Sequence, residues 1–267
     1  MVSELPQSLA DEWRAIGTDT DEMEFGVATV VAETTLYERE STRLERADLR
    51  LRSRTDPEVD EPDDETNTRN GGDIPIRSLF VVDLSSTPSL SSVGLAPTAV
   101  LGTAAEKATD LFVGRLEDDG IVVAGGDGDD RTASEFDRGD GTVGRWYTLS
   151  VSYPVVSVHA ESEAETETDT DELHNPRIDA ETHLAIWPTD DAYRMAGGTV
   201  PLRISEDAPT PITDALEVDP GRDREAVLEL VRTVGLEEKE DATETETSRP
   251  DGDEQSPGEE DSDSGLG

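Results

Sequence analysis

The most regular apolar pattern along the chain predicts a helix over Ala99–Leu116. Apolar side chains recur there every three or four residues, which gathers them into a broad stripe along one side of a helix. The stripe consists of Val100, Leu101, Ala104, Ala105, Ala108, Leu111, Phe112 and Leu116. A helix of this length and pattern is expected to bury the stripe against a sheet or another helix.

Two further stripes predict helices near the ends of the chain. The C-terminal one has Asp219 as its N-cap, Pro220 at its first position and Gly235 as its stop signal. Its apolar positions are Ala226, Val227, Leu230, Val231 and Val234. A short N-terminal helix ending at Gly17 is predicted from the helical spacing of Leu5, Leu9, Trp13 and Ile16.

Strands are predicted wherever apolar residues run together or alternate with polar ones. Ile76–Leu84 is the most apolar short run and predicts a central strand, while Val143–Tyr153 alternates as a half-buried strand does. The loop Gly125–Gly141 is rich in Gly and Asp and predicts turns rather than a strand. Further strands are predicted over Phe25–Tyr37, Ala47–Ser53, Ile121–Ala124, Thr182–Trp187, Tyr193–Ala196 and Thr199–Ile204.

Runs of strands separated by single helices are typical of the α+β class. We expect one mostly antiparallel sheet packed with the two longer helices. Three segments have few apolar residues and are rich in acids, so they are predicted to be disordered. They are the insertions 55–72 and 161–176 and the tail 237–267. The expected organisation is therefore a single domain over 1–236, followed by an acidic tail over 237–267.

The charge of the chain changes this picture more than any motif. The formal net charge is −42, with 64 acidic and 22 basic residues. The three segments hold −24, so the remainder of the chain still holds −18. Lys107 and Lys239 are the only lysines, beside twenty arginines. An acidic, lysine-poor surface is suited to molar salt, where charges are screened over about 3 Å. We therefore expect a halophilic protein.

Several classes of protein are excluded or disfavoured by composition. The chain has no cysteine, which rules out disulfides, thiolate metal sites and a cysteine nucleophile. The net charge argues against binding nucleic acid, which requires a basic face. No apolar run approaches the 18 residues of a membrane span. The N-terminus has no signal-peptide pattern. The expected location is therefore cytoplasmic.

No motif predicts a catalytic, cofactor-binding or metal-binding residue. The chain lacks G-x-S-x-G, S-x-x-K and the phosphate-binding G-x-x-x-x-G-K-[ST], and it has no G-x-G-x-x-G at a predicted strand–helix junction. Two groups of residues are weaker candidates for metal sites: the aspartates of the 125–141 loop and the histidines. We interpret both as not binding a metal, with calcium for the first and zinc for the second as the open alternatives. The aspartates of the 125–141 loop lack EF-hand spacing, and the histidines show no zinc pattern. These residues are Asp127, Asp129, Asp130, Asp137, Asp140, His159, His174 and His183.

Aromatic residues are concentrated in neighbouring predicted strands. They are Trp146, Tyr147, Tyr153, Trp187 and Tyr193. Such a group is a candidate surface for a protein partner or small ligand. Packing in the core beneath the helices is the more usual role. By strand parity, the side chain of Trp146 is expected to face away from that of Tyr147.

Three stretches together resemble haloarchaeal proteins without an assigned function, some of which carry a lipoprotein signal. They are IPIRSLFVVDLSSTPSLSSVGLAPTAVLG at 74–102, DRGDGTVGRWYTLSVSY at 137–153 and LAIWPTDDAYRMAGGTVP at 184–201. The resemblance implies a halophilic origin and brings no site residues with it. The chain lacks the cysteine of a lipoprotein. The general layout also resembles Mog1/PsbP-like domains, a likeness of fold that implies no function.

These observations favour a non-catalytic interaction module or small-ligand-binding module over an enzyme. The alternative is an enzyme with a carboxylate-based site, which 64 acidic residues would conceal. Converging acids with shifted pKa values in a pocket would favour the enzyme. A filled core with a flat aromatic patch would favour the binding module.

Overall fold

The structure of the protein is a computed structural model. The predicted segments 55–72 and 237–267 lie outside the described residues, as does 161–176 apart from Pro176. The predicted strand Ala47–Ser53 also lies outside them, so these four predictions stay predictions. The chain divides into two units between Val234 and Gly235, and the first unit is described below. The structure describes residues 5–25, 28–39, 74–124, 131–155, 176–206, 208 and 216–236.

Eight strands within the described residues form one antiparallel sheet. Its order is β1-β2-β3-β8-β7-β6-β4, and β5 pairs with β6 beside that path. Together with the helices, this sheet confirms the predicted α+β class. The strands are β1 (Trp13–Phe25), β2 (Ala28–Arg39), β3 (Ser78–Thr87), β4 (Val122–Val123), β5 (Thr132–Asp137), β6 (Val143–Pro154), β7 (Arg177–Pro188) and β8 (Tyr193–Ile204).

Both longer helices form where the apolar stripes predict them. They are α2 (Pro97–Asp118) and α3 (Pro220–Thr233), and a single turn near the N-terminus is α1 (Gln7–Ala10). The carboxylate of Asp219 accepts a hydrogen bond from the Arg222 amide, which satisfies a free donor at the start of α3. The predicted N-cap is therefore confirmed.

The two longer helices lie on opposite faces of the sheet, which we call the α2 face and the α3 face. In β3, Phe80 and Val82 pack on the α2 face, while Leu79 and Val81 pack on the α3 face. The central strands are thus buried on both sides, which explains their continuous apolar sequence. Helix α2 packs against β4, β6 and β7, and α3 packs against β8.

Two glycines allow β8 to run unbroken through the middle of the sheet. A Cβ at Gly197 would lie 1.9 Å from the backbone oxygen of His183, and one at Gly198 would lie 2.4 Å from that of Ser78. Only glycine permits this close approach. The prediction of two strands divided by the Gly-Gly pair was therefore wrong, because the pair marks tight packing rather than a turn.

Two other local predictions were wrong. The predicted N-terminal helix is limited to α1, and β1 begins at Trp13, where helical spacing had suggested a continuing helix. Tertiary burial accounts for this spacing, because Leu9 and Trp13 both enter the core on the α3 face. The predicted loop Gly125–Gly141 contains β5, whose side chains are largely exposed and show no alternation of apolar and polar residues.

The buried guanidinium of Arg138 joins the end of α3 to the sheet. Its Nε donates to the Val231 carbonyl at 3.0 Å, and its Nη2 donates to the Val234 carbonyl at 2.6 Å. Its Cζ lies 4.6 Å from the centroid of the Trp187 ring. Arg138 therefore satisfies carbonyls that the last turn of the helix leaves free.

Candidate functional site

A large apolar groove lies between α2 and the β1–β3 end of the sheet. Helix α2 packs against β4, β6 and β7 at the other end of the sheet. The strands β1 to β3 extend beyond the helix and leave a cavity of about 1610 Å³ on the α2 face. Its floor includes Ala32, Leu36, Phe80 and Val82, and α2 supplies apolar side chains as a wall. These wall residues are Val100, Ala104, Ala108, Leu111 and Phe112.

Large apolar side chains are exposed where they line this groove. Val93 is 53% exposed, Leu95 is 45% exposed and Leu111 is 39% exposed, and all three are lining residues. They account for half of the large exposed hydrophobic residues in the part of the chain that the structure describes. A concave apolar surface of this kind is typical of a site for a small molecule.

Charged residues also line the groove, and three of them form ion pairs within the protein. Arg115 lies 3.9 Å from the Asp19 carboxylate and 3.7 Å from that of Asp119. Asp110 accepts a hydrogen bond of 2.6 Å from Arg131. Lys107 lines the groove without a hydrogen-bond or ion-pair partner among the described residues.

A second polar group lies on the α3 face, where β6, β7 and α3 meet. His183 Nε2 lies 2.7 Å from Glu181 Oε1, and its Nδ1 lies 3.3 Å from the Thr148 hydroxyl. An ionised carboxylate only accepts hydrogen bonds, so Nε2 carries the proton and Nδ1 accepts from Thr148. The guanidinium of Arg224 also donates to Glu181. This arrangement places a neutral imidazole beside a hydroxyl group.

Burial and hydrogen bonding have opposite effects on the pKa values of Glu181 and His183. Hydrogen bonding has the larger effect at Glu181, and burial has the larger effect at His183. Burial would raise the pKa of Glu181, but hydrogen bonds from Arg224 and His183 outweigh it and the pKa lies below its ordinary value. Burial lowers the pKa of His183 from 6.5, and contact with Glu181 offsets only part of that. Near neutral pH, Glu181 is therefore ionised and His183 is uncharged.

Protonation of His183 is expected to destabilise the fold. Its pKa is lower in the folded than in the unfolded chain, so the unfolded state binds more protons between those two values. The free energy of unfolding should therefore decrease as pH falls below about 6.5. Urea denaturation between pH 8 and 5.5 in molar KCl measures this slope. His183→Gln should flatten it, whereas His159→Gln serves as the matched control; equal slopes in both variants would contradict the assignment.

A buried ion pair joins distant parts of the chain at the start of α3. Arg77 Nε lies 2.8 Å from Asp223 Oδ2, and both side chains are 2% exposed. Arg39 approaches the other oxygen of Asp223 at 3.7 Å and contacts Glu12 at 2.8 Å. Burial raises the pKa of Asp223, while the Arg77 guanidinium opposes the rise. These contacts connect distant segments of the chain, which is a structural role.

Among the residues that the structure describes, the carboxylates with shifted pKa values do not lie in the groove. Glu181 and Asp223 are on the α3 side of the sheet, and neither is a lining residue of the cavity. The groove and the shifted acids therefore do not form one site.

The residues considered for metal binding are not brought together where the structure describes them. Asp137 and Asp140 accept hydrogen bonds from the backbone amides of Gly139 and Thr142, as turn residues do. No cluster of three or more His, Cys, Asp or Glu residues occurs among the described residues. The other candidates lie outside the described part: Asp127, Asp129, Asp130, His159 and His174.

The predicted aromatic surface is not formed. Tyr147, Tyr153 and Tyr193 pack on the α2 face, whereas Trp187 packs on the α3 face with Trp146 at its margin. The side chain of Trp146 thus faces away from that of Tyr147, as its parity predicts. Four of the five residues are buried, so packing in the core, the more usual role, accounts for them, and Tyr193 also lines the groove. The apolar surface lies in the groove instead.

The sequence contains a signal for the groove in the width of the apolar stripe on α2. The apolar stripe of α2 is broader than one packing surface requires, and Leu111 at its margin is exposed. Gly114 and Lys107 on the same helix also line the cavity. The sequence pattern that indicates the groove is therefore an unusually wide apolar stripe with a lysine and a glycine at its margin.

Comparison with known families gives one match. The family described as "Domain of unknown function (DUF6517)" matches residues 4–235. The chain belongs to the DUF6517 family. The match includes the whole groove, the ion pair and the His183 group, so these features lie within the DUF6517 domain. No curated protein and no solved structure matches this DUF6517 chain. Within its described residues, no helix is long and apolar enough to cross a membrane.

Proposed function

We propose that the protein is a non-catalytic module that binds an apolar small molecule in the groove between α2 and β1–β3. The observation that carries this proposal is the apolar lining of a cavity of about 1610 Å³. Ligand pockets are usually about 300–1,000 Å³, so an extended ligand fits this cavity better than a compact one. Three exposed side chains, Val93, Leu95 and Leu111, would lose contact with water when it binds.

We further propose that this binding takes place in the salt-rich cytoplasm of a halophile. The net charge of −42 and the use of only two lysines support this. High salt screens repulsion between carboxylates and strengthens contacts between apolar surfaces when the salt is excluded from them. The proposed unit is the domain over 1–236.

The second candidate is an enzyme that uses the His183 group. The specific observation in its favour is the Thr148 hydroxyl, which lies 3.3 Å from the accepting nitrogen of His183. This geometry would allow proton transfer from the hydroxyl. However, the group is separate from the groove, and Arg224 holds the carboxylate. A structural hydrogen-bond network accounts for the same contacts, so the binding module is the better supported function.

A matched pair of substitutions in α2 tests where the ligand binds. Gly114 lines the groove and Gly102 does not, and a Cβ at either position meets nothing within 4 Å. Gly114→Trp should therefore fill part of the groove without disturbing the core. We expect it to weaken binding of the neutral apolar dye Nile red by about tenfold, or ~1.4 kcal/mol. Fluorescence titration in molar KCl measures the dissociation constant.

The control in this experiment is Gly102→Trp, which makes the same change on the same helix. Both variants replace a helical glycine and should gain up to about 1 kcal/mol of helix stability. Thermal melting shows whether each remains folded. Equal affinity in the two variants, or no saturable Nile red binding by the unmodified chain, would contradict the proposal.

A further inference from the structure

We infer that the ligand of the groove is a single-chain amphiphile whose anionic head group contacts Lys107. This inference rests on the proposed function and specifies the class of ligand. The apolar part of the molecule would lie along the groove, and its head group would meet the ammonium of α2. The chain retains almost no lysine, which makes the position of this one informative.

Lysine is rare in this chain, and Lys107 occupies the groove. There are 20 arginines and two lysines, and Lys239 lies outside the described residues. Lys107 is exposed and has no hydrogen-bond or ion-pair partner within the described part of the chain. In a protein with 64 acidic residues, a cation without a carboxylate partner is available to a ligand.

The other cation of the groove is less available. Arg115 lies between the Asp19 and Asp119 carboxylates, at 3.9 and 3.7 Å. Among the acids, Asp110 is held by Arg131 at 2.6 Å. Of the two lining cations in the described part of the chain, Lys107 is thus the one without a carboxylate within ion-pair distance. A lysine ammonium acts as a point charge and accepts either a carboxylate or a phosphate as its partner.

Apolar and polar residues adjoin Lys107 on the side of α2 that lines the groove, and its polar neighbours there are Thr103 and Asp110. Ala104 and Leu111 lie one turn before and after it, and both are lining residues. The ammonium therefore stands at the margin of an apolar surface. A ligand that matches this margin has an apolar chain and one charged end. This combination describes an amphiphile better than a wholly apolar molecule.

The remaining acids of the groove set a condition on binding. Asp21, Glu22 and Asp118 line it and are exposed, so they repel an anionic head group in dilute buffer. In about 1 M salt the screening length is roughly 3 Å, and only the direct contact with Lys107 remains effective. Raising the salt concentration to about 1 M should therefore strengthen binding of the anionic ligand more than binding of a neutral analogue.

Two probes that differ in one charge test the inference. They are 11-(dansylamino)undecanoate and its methyl ester, titrated by fluorescence in about 1 M KCl. Lys107→Gln should weaken binding of the acid about fivefold, the range of an exposed charge pair, and leave the ester unchanged. Lys107→Arg should restore the affinity for the acid. Competition by dodecanoate and by dodecyl phosphate distinguishes a carboxylate from a phosphate head group.

Lys239→Gln is the matched control, because it changes the net charge by the same amount at the only other lysine. The inference that an anionic head group contacts Lys107 is overturned if Lys107→Gln and Lys239→Gln bind the acid with equal affinity. It is also overturned if Lys107→Gln changes the affinities for the acid and the ester alike. The groove would still stand as a binding site in that case, because the ester binds. If neither probe binds the unmodified chain, the proposed function fails together with the inference.

Discussion

Asp223→Ala is expected to lower the free energy of unfolding by about 3–5 kcal/mol. The substitution removes the carboxylate that Arg77 contacts at 2.8 Å, with both side chains 2% exposed. The buried Arg77 guanidinium would then lose the Asp223 carboxylate, and Arg39 would lose a second contact. Natural domains are stable by about 5–15 kcal/mol, so this loss is a large part of the total.

Urea denaturation in molar KCl, followed by circular dichroism, measures the effect of this substitution. Glu225→Ala is the control, because Glu225 is an exposed acid on the same helix and its loss should change stability by less than about 0.5 kcal/mol. The double variant Arg77→Met/Asp223→Leu should recover much of the loss, since it leaves no buried charge unpaired. A loss below about 1 kcal/mol in Asp223→Ala would show that the pair is not effectively buried.

This network also shows why part of the fold could not be predicted from the sequence. Arg77 and Asp223 are 146 positions apart, and no local pattern relates them. By contrast, α2 and α3 were predicted because helical periodicity and the Asp219-Pro220 start are local signals. The alternation of β6 is equally local. Contacts between distant segments require knowledge of the strand order, which periodicity does not contain.

The errors in prediction have the same origin. Leu9 and Trp13 have helical spacing, yet each is buried for a tertiary reason on either side of a turn. Gly197 and Gly198 have the composition of a turn, yet their backbone passes close to the neighbouring strands. In each case the packing of distant residues determined the local structure. Propensity is weak enough for tertiary contacts to override it.

The candidate site was predicted in its parts and missed as a whole. The stripe of α2 and the strands β2 and β3 were each predicted, but the gap between them depends on the order of the sheet. Strands β1 and β2 lie at the end away from β4, β6 and β7, where α2 packs. The groove is therefore a consequence of topology. The aromatic residues that suggested a surface instead fill both faces of the core.

The acidic surface should make folding depend on salt. Lowering the salt from about 1 M to 10 mM lengthens the screening distance from roughly 3 Å to 30 Å, so repulsion acts across the whole domain. The edge strand β1 shows the problem locally, because Asp19, Asp21 and Glu22 are exposed beside one another. We expect the protein to be folded and to melt cooperatively above about 1 M KCl, and to lose its native packing as the salt concentration falls towards 10 mM.

A salt titration of the full chain, followed by far- and near-ultraviolet circular dichroism, measures this dependence. Screening is not specific to one cation, so NaCl should replace KCl, and sulfate should stabilise further by strengthening apolar burial. Asp21→Asn/Glu22→Gln should lower the salt concentration at the unfolding midpoint, because it removes two adjacent charges from β1. The same variant should melt within a few degrees of the unmodified chain in molar KCl, where those charges are already screened. An unchanged melting temperature of the unmodified chain between molar and 10 mM salt would contradict the proposed halophilic adaptation, since the acidic surface would then have no influence on stability.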